Sequence, residues 1–207
     1  MKIVFKFPKG SSSKHELLFK EGWIPLKEPV TLSSAILQSF PFMFLTTLLT
    51  FLVISLFSPF TLEDFGLGEE GFTFTIHFEA IFYVLVIIIV HELIHLIFIP
   101  RFFSSERTYL GFTFFGGFVY TEEVISKHRF LLITAAPYLI LSIILPVLAG
   151  IFGLFNTQMK IVLLIHSLAS SVDALVFLLA ASQVPADGQL ISNGMKTFWR
   201  CRDAIEK

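Results

Sequence analysis

The chain is short of cysteine and of charge, and it contains no basic block. A single cysteine, Cys201, in 207 residues excludes an internal disulfide and any multi-cysteine metal cluster. Charged residues make up 15% of the chain, against about 25% in an ordinary soluble domain. Charge therefore cannot cover this surface in water. Lysine and arginine number 15 against 16 acidic residues, for a net charge of −1, so nothing provides the electrostatic footprint of a nucleic-acid partner. What is abundant is apolar. Hydrophobic residues reach 55%, phenylalanine alone fills 26 positions, and mean hydropathy is +0.79. The length suits one domain, or at most two small ones, and the composition predicts a polytopic membrane protein in a lipid bilayer.

Four stretches are long enough to cross a hydrocarbon core of ~30 Å, which takes about 20 residues of helix. They run roughly Ser33–Ser58, Glu79–Phe103, Arg129–Phe155 and Met159–Ser182. The first apolar run begins behind a polar, lysine-bearing stretch and is itself long enough to span. Residues 1–32 are accordingly read as an extramembrane segment and not as a targeting sequence.

Positive charge alternates between the connections. Residues 1–32 carry six lysines, whereas the loop 59–78 carries only Glu63, Asp64, Glu69 and Glu70. The second connection with its flanks holds Arg101, Arg107, Lys127 and Arg129, the third only Lys160, and the tail holds Lys196, Arg200, Arg202 and Lys207. This pattern predicts a multi-pass cell-membrane protein with both termini cytoplasmic. The expected organisation is a cytoplasmic segment 1–32, a four-helix membrane domain 33–182, and a cytoplasmic tail 183–207 lying at the membrane surface.

Residues 108–122, TYLGFTFFGGFVYTE, alternate small or polar with aromatic residues around Gly116-Gly117. A Gly-Gly pair between two β-prone runs predicts a hairpin turn, with a re-entrant loop as the alternative. The expected fold class is thus an all-α polytopic membrane protein, with four transmembrane helices and a short β-hairpin or re-entrant loop between the second and third.

Chemistry concentrates in the second span, at His91-Glu92-Leu93-Ile94-His95, an H-E-x-x-H pattern. On a helix, positions i and i+4 are about 40° apart in projection and one turn apart in height. Both imidazoles can then reach one metal ion, with Glu92 close enough to hydrogen-bond a water on it. Zinc suits such a site because it takes imidazole and carboxylate ligands tetrahedrally and lowers the pKa of bound water to ~7. Glu92 is the expected general base. A charged group at mid-membrane costs about 2.5–3.5 kcal/mol on insertion scales, which argues that these residues are kept for function.

A catalytic zinc generally takes three protein ligands. Asp173 is the only carboxylate within the fourth span. At 1.5 Å per residue, His91 and His95 lie about 18–24 Å from Glu79 and Asp173 about 21 Å from Met159, which are matching depths. The rival Asp187 would lie about 42 Å along, past Pro185, in ordinary Pro-x-Asp-Gly turn chemistry. Glu122 and Glu123 are more remote candidates. His166, seven residues before Asp173, is either a partner of a metal ligand, a donor to substrate, or a packed helix-interface residue. Pro137 and Pro146 can kink the third span beside the motif.

With these residues in view, the chain resembles the putative zincin peptidase family of small bacterial membrane proteins. The resemblance rests on Gly22-Trp23, Leu26-Lys27-Glu28-Pro29, the His91–His95 motif, Lys127-His128-Arg129-Phe130 leading to Ala135-Ala136-Pro137, and His166 with Asp173. More distantly, the arrangement is similar to site-2 intramembrane metalloproteases, in which an H-E-x-x-H helix and a later aspartate hold zinc and a nearby β-hairpin can align substrate. The resemblance implies His91, His95 and Asp173 as zinc ligands and Glu92 as base. Site-2 proteases carry their aspartate before glycine, however, and here Asp-Gly occurs at Asp187-Gly188 while Ala174 follows Asp173.

The function expected is a zinc-dependent intramembrane endopeptidase acting on a membrane-embedded or membrane-proximal protein. Two alternatives come from other classes: a non-catalytic metal-binding membrane scaffold, and a small cation or proton carrier component. The absence of internal repeats counts against the carrier.

Overall fold

The computed structural model describes residues 1–68, 71–72, 78–113 and 116–201. Glu69, Glu70, Arg202 and Lys207 of the charge count, and Phe114 and Phe115 of the expected hairpin, lie outside the described residues.

The chain opens with strand β1 (Lys2–Val4), helix α1 (Ser12–Lys20) and the short strand β2 (Ile24–Pro25). The first long helix is α2 (Leu32–Ser55), started by a capping box in which Thr31 and Ser34 bond each other's backbone amides. A 3-10 turn (Glu63–Phe65) and strands β3 (Leu67–Gly68) and β4 (Gly71–Phe72) lead to α3 (Phe78–Phe98). Strands β5 (Thr108–Thr113), β6 (Gly116–Thr121) and β7 (Ile125–Ser126) follow. The third span is α4 (Lys127–Tyr138), a π-helical segment (Leu139–Ile144) and α5 (Leu145–Ile151). The fourth is α6 (Thr157–Ala169) and α7 (Ser171–Gln183), and strands β8 (Gly188–Asn193) and β9 (Lys196–Cys201) close the described chain.

Four helical stretches, Leu32–Ser55, Phe78–Phe98, Lys127–Ile151 and Thr157–Gln183, are long and apolar enough to cross a membrane. Their apolar side chains point outward as well as inward. Phe44 is 71% exposed and Phe78 86%, an arrangement that water would penalise. Between the helices, Ile54, Ile87, Ile94, Ala136, Leu141, Val162 and Leu163 form the largest apolar cluster. Small hydroxyl residues (Ser39, Thr46, Thr50, Ser142, Ser167, Ser170, Ser171) are buried at the helix contacts, where they permit close approach and bond across helices.

The expectation of an all-α fold needs correction. The described residues include a three-stranded sheet ordered β1-β5-β6, a four-stranded sheet ordered β2-β9-β8-β7, and the β3-β4 pair. The four-stranded sheet draws strands from the N-terminal segment, the second connection and the tail. Strands β1, β2 and β7 are two or three residues long, too short to announce themselves by periodicity, and pairing across distant segments is what stabilises them. The tail read as a polar surface segment is therefore a hairpin, with Leu190 against Trp199 and Ile191 against Phe198 in register. The expected hairpin is there as the antiparallel pair β5 and β6, in which Gly116 and Gly117 pair with Thr113 and Phe112 as the first residues of β6.

The three-stranded and four-stranded sheets gather at one end of the bundle. The Lys127 ammonium donates to the carbonyls of Ala181 and Val184, closing the C-terminus of α7 with a cation, as its dipole favours. Backbone amide Thr197 bonds the Glu28 carboxylate, and Lys14 pairs with Glu122 at 2.8 Å. At the opposite end, Asp64 accepts from the Thr61 amide, the Thr157 hydroxyl and the Lys160 ammonium, and Lys160 also donates to the Pro59 carbonyl at 2.9 Å. This buried pair ties the first connection to the start of α6.

Candidate metal centre

Helix α3 runs unbroken through His91, Glu92 and His95, so the two imidazoles fall one turn apart on one face. Asp173 arrives from α7, in the first turn after the break in the fourth span. That break follows from local sequence. Ser167, Ser170 and Ser171 stand within five residues, and serine hydroxyls compete for helical carbonyls. Here Ser170 Oγ donates to the His166 carbonyl and Ser167 Oγ to that of Leu164. The Ser167 carbonyl lies 2.9 Å from Thr46 Oγ1 of α2, sharing that hydroxyl's one proton with the Phe42 carbonyl at 2.7 Å, which helps meet the demand of a helix end inside an apolar bundle.

The three ligand candidates converge. His91 Nε2 lies 3.2 Å from Asp173 Oδ2, His95 Nε2 lies 3.6 Å from Asp173 Oδ1, and the two Nε2 atoms are 3.1 Å apart. Tetrahedral zinc with bonds of ~2.0–2.1 Å sets its ligand atoms about 3.3 Å from one another. The donor set therefore has the spacing of a zinc site, and it forms a group able to hold a metal ion.

The other ring nitrogens support this fit. His95 Nδ1 stands 2.8 Å from the Ile133 carbonyl, which can only accept, so Nδ1 carries a proton. In the neutral ring Nε2 then presents a lone pair towards His91 and Asp173. Lone pairs and a carboxylate facing one another are stabilised by a cation between them.

Glu92 is 8% exposed and leaves α3 about 100° round from His91, packed against β6. A Cβ built on Gly117 would come within 2.6 Å of Glu92 Cγ, so only glycine leaves room for this carboxylate. The Val119 amide hydrogen-bonds it, and His91, His95 and Asp173 are all within electrostatic range. The side chain is thus held beside the ligand group by a strand and not by helix packing alone.

The remaining sequence candidates are elsewhere. Asp187 is exposed, just before β8; Glu122 pairs with Lys14 and accepts from Tyr120, and Glu123 accepts from Ser105. His166 does reach the site, but behind His91, with its Nε2 at 2.9 Å from His91 Nδ1. Its Nδ1 faces Ser142 Oγ at 2.7 Å. Ser142 and Gly117 were not singled out for the site from sequence. Ser142 is a lone hydroxyl in an apolar span and gives a faint signal; Gly117 was assigned to a turn.

Comparison with known proteins brings in one family. The sequence model of a family described as putative zincin peptidase matches residues 84–188, about half of the chain, covering the motif and Asp173. No curated protein and no solved structure matches the chain.

Proposed function

This chain belongs to the putative zincin peptidase family, and from that membership we propose a zinc-dependent endopeptidase that cleaves membrane-embedded or membrane-proximal proteins, with Glu92 as general base. The observation that carries the proposal is the convergence of His91, His95 and Asp173 at tetrahedral spacing, with a buried glutamate next in sequence to the first histidine.

His91 and His95 through Nε2, and Asp173 through a carboxylate oxygen, would hold the ion. Zinc in that set supplies Lewis acidity, acidifying a water to a pKa of ~7 and polarising a carbonyl. Glu92 takes the proton from the attacking water at its carboxylate and passes it to the departing amide nitrogen. The Val119 amide orients that carboxylate, and the surrounding helices keep bulk water from competing for it. Among the described residues β6 is the outer strand of its sheet, and it lies beside the motif. An extended substrate segment added to that edge would have its backbone aligned by main-chain hydrogen bonds. The positive-charge alternation and the outward apolar faces support a multi-pass cell-membrane protein with both termini in the cytoplasm.

The test is Glu92→Gln in detergent-purified protein, assayed for zinc and for cleavage of a panel of single-span membrane segments by mass spectrometry. Zinc should stay near one per chain while turnover falls about 10²–10⁴-fold. Undiminished cleavage by the variant removes Glu92 from the mechanism. Zinc without any cleavage by the wild type across the panel favours the scaffold alternative.

A further inference from the structure

Behind the ligand group runs a line of hydrogen bonds that the peptidase reading leaves without a role. His91 Nδ1 meets His166 Nε2 at 2.9 Å, and His166 Nδ1 meets Ser142 Oγ at 2.7 Å. His166 is 3% exposed and Ser142 fully buried, so neither group has water as an alternative partner. Three elements build the line: α3 carries His91, α6 carries His166, and the π-helical segment carries Ser142.

We propose that His166 and Ser142 are positioning residues that fix the ring orientation and tautomer of His91, so that its Nε2 faces the metal as a lone pair. The inference rests on the reading of His91 as a ligand. Neutral imidazole carries one proton. For Nε2 to bind a cation, that proton must sit on Nδ1, and Nδ1 then donates to His166 Nε2. His166 must therefore have its own proton on Nδ1, which donates to the Ser142 oxygen. Each tautomer follows from the one before it, and the hydroxyl ends the line as acceptor.

The π-helical segment is the part of the backbone that makes this possible. The Leu145 amide bonds the Ile140 carbonyl, five residues back, and such a bulge rotates the residues it contains relative to a regular helix. Single-turn π bulges occur often at functional sites. Pro137, which lacks an amide proton, lies just upstream. His95 is held from behind in the same manner by the Ile133 carbonyl, so both histidines would be oriented through Nδ1, as metal-bound histidines usually are. The His91 support differs in being a side chain, and it can be mutated.

The experiment measures zinc affinity by competition with a chelator of known strength, on full-length protein in detergent, with zinc itself as probe. His166→Leu removes the acceptor and should weaken zinc binding about 10–100-fold. His166→Gln places an amide oxygen near the position of Nε2 and should recover most of that loss, which a merely space-filling role would not require. Ser142→Ala should give a smaller loss in the same direction. Melting of the zinc-free proteins, matched to wild type, shows that any weakening belongs to the site and not to the fold. Wild-type affinity in His166→Leu, while His95→Ala has lost zinc, overturns this inference and leaves the ligand reading standing. Equal weakening in His166→Leu and His166→Gln overturns it too, since the acceptor would then be irrelevant. Failure of the wild type to bind zinc, or retention of zinc by His95→Ala, overturns the ligand reading and the inference with it.

Discussion

At the scale of the residue, the position of Glu92 depends on an atom that is missing. Gly117 has an ordinary φ, so alanine there meets no backbone strain, and its methyl would collide with Glu92 Cγ at 2.6 Å. The side chain of Glu92 can swing away more easily than a strand paired along its length. Gly117→Ala should therefore displace the carboxylate, lowering kcat by about 10²-fold, the effect of a ~1 Å misplacement, with KM and zinc content little changed. Steady-state kinetics beside metal analysis would check it, and an unchanged kcat would mean that Glu92 has no fixed position to lose. The motif and Asp173 were legible in the sequence because helix geometry converts spacing into direction and depth. The Gly117 contact was not, since nothing in a Gly-Gly pair says which helix will approach it.

At the scale of the element, two irregular helices place the chemistry. The fourth span was expected to be continuous; it breaks at Ser170, and Asp173 still comes level with the two histidines, 3.2 Å and 3.6 Å from their Nε2 atoms. Thr46→Val keeps the shape of the side chain while removing the donor to the Ser167 carbonyl. A loss on the order of 1 kcal/mol is expected, as for other interhelical hydrogen bonds in membranes. Denaturation in mixed micelles would measure it, and a stability equal to wild type would show that the break needs no support from the Thr46 hydroxyl.

The other end of the same span is held by Asp64. Burial alone would raise its carboxyl, but the Thr157 hydroxyl, the Thr61 amide and the Lys160 ammonium hold it at about 2, against an ordinary 3.8. A lowered carboxyl contributes stability that is fully present above the unfolded value and disappears as pH falls through the folded one. Roughly 2 kcal/mol should therefore be lost between pH 4 and pH 2. Asp64→Asn should already be destabilised at neutral pH, because it strands the buried Lys160 charge, and should show less further loss over that acid range. An identical acid profile in variant and wild type would contradict this account.

At the scale of the whole molecule, strand pairing determines which segments share an end. β2 joins β9, β1 joins β5, and β7 joins β8, so the N-terminal segment, the second connection and the tail hairpin sit together. Asp64 meets Thr157 and Lys160 at the other end. Charge counting anticipated this grouping, because lysine and arginine favour one side of a bilayer whatever local structure they adopt. It could not anticipate the sheets, whose partners lie as far apart in sequence as Ile24 and Trp199. Four helices long and apolar enough to cross a membrane and one basic end together predict an orientation, and the single cysteine makes it testable. In a Cys201→Ser background, Leu62→Cys replaces a side chain 70% exposed at the acidic end, and Ser12→Cys replaces an exposed residue at the basic end. A membrane-impermeant thiol reagent applied to intact bacterial cells, after permeabilisation of any outer membrane, should label position 62 and leave position 12 unlabelled until the inner membrane is opened. The reverse pattern would place the β1-β5-β6 and β2-β9-β8-β7 sheets, with the β6 strand beside the candidate metal centre, on the outer side. Labelling of both positions in intact cells would mean that the four helices do not separate two compartments.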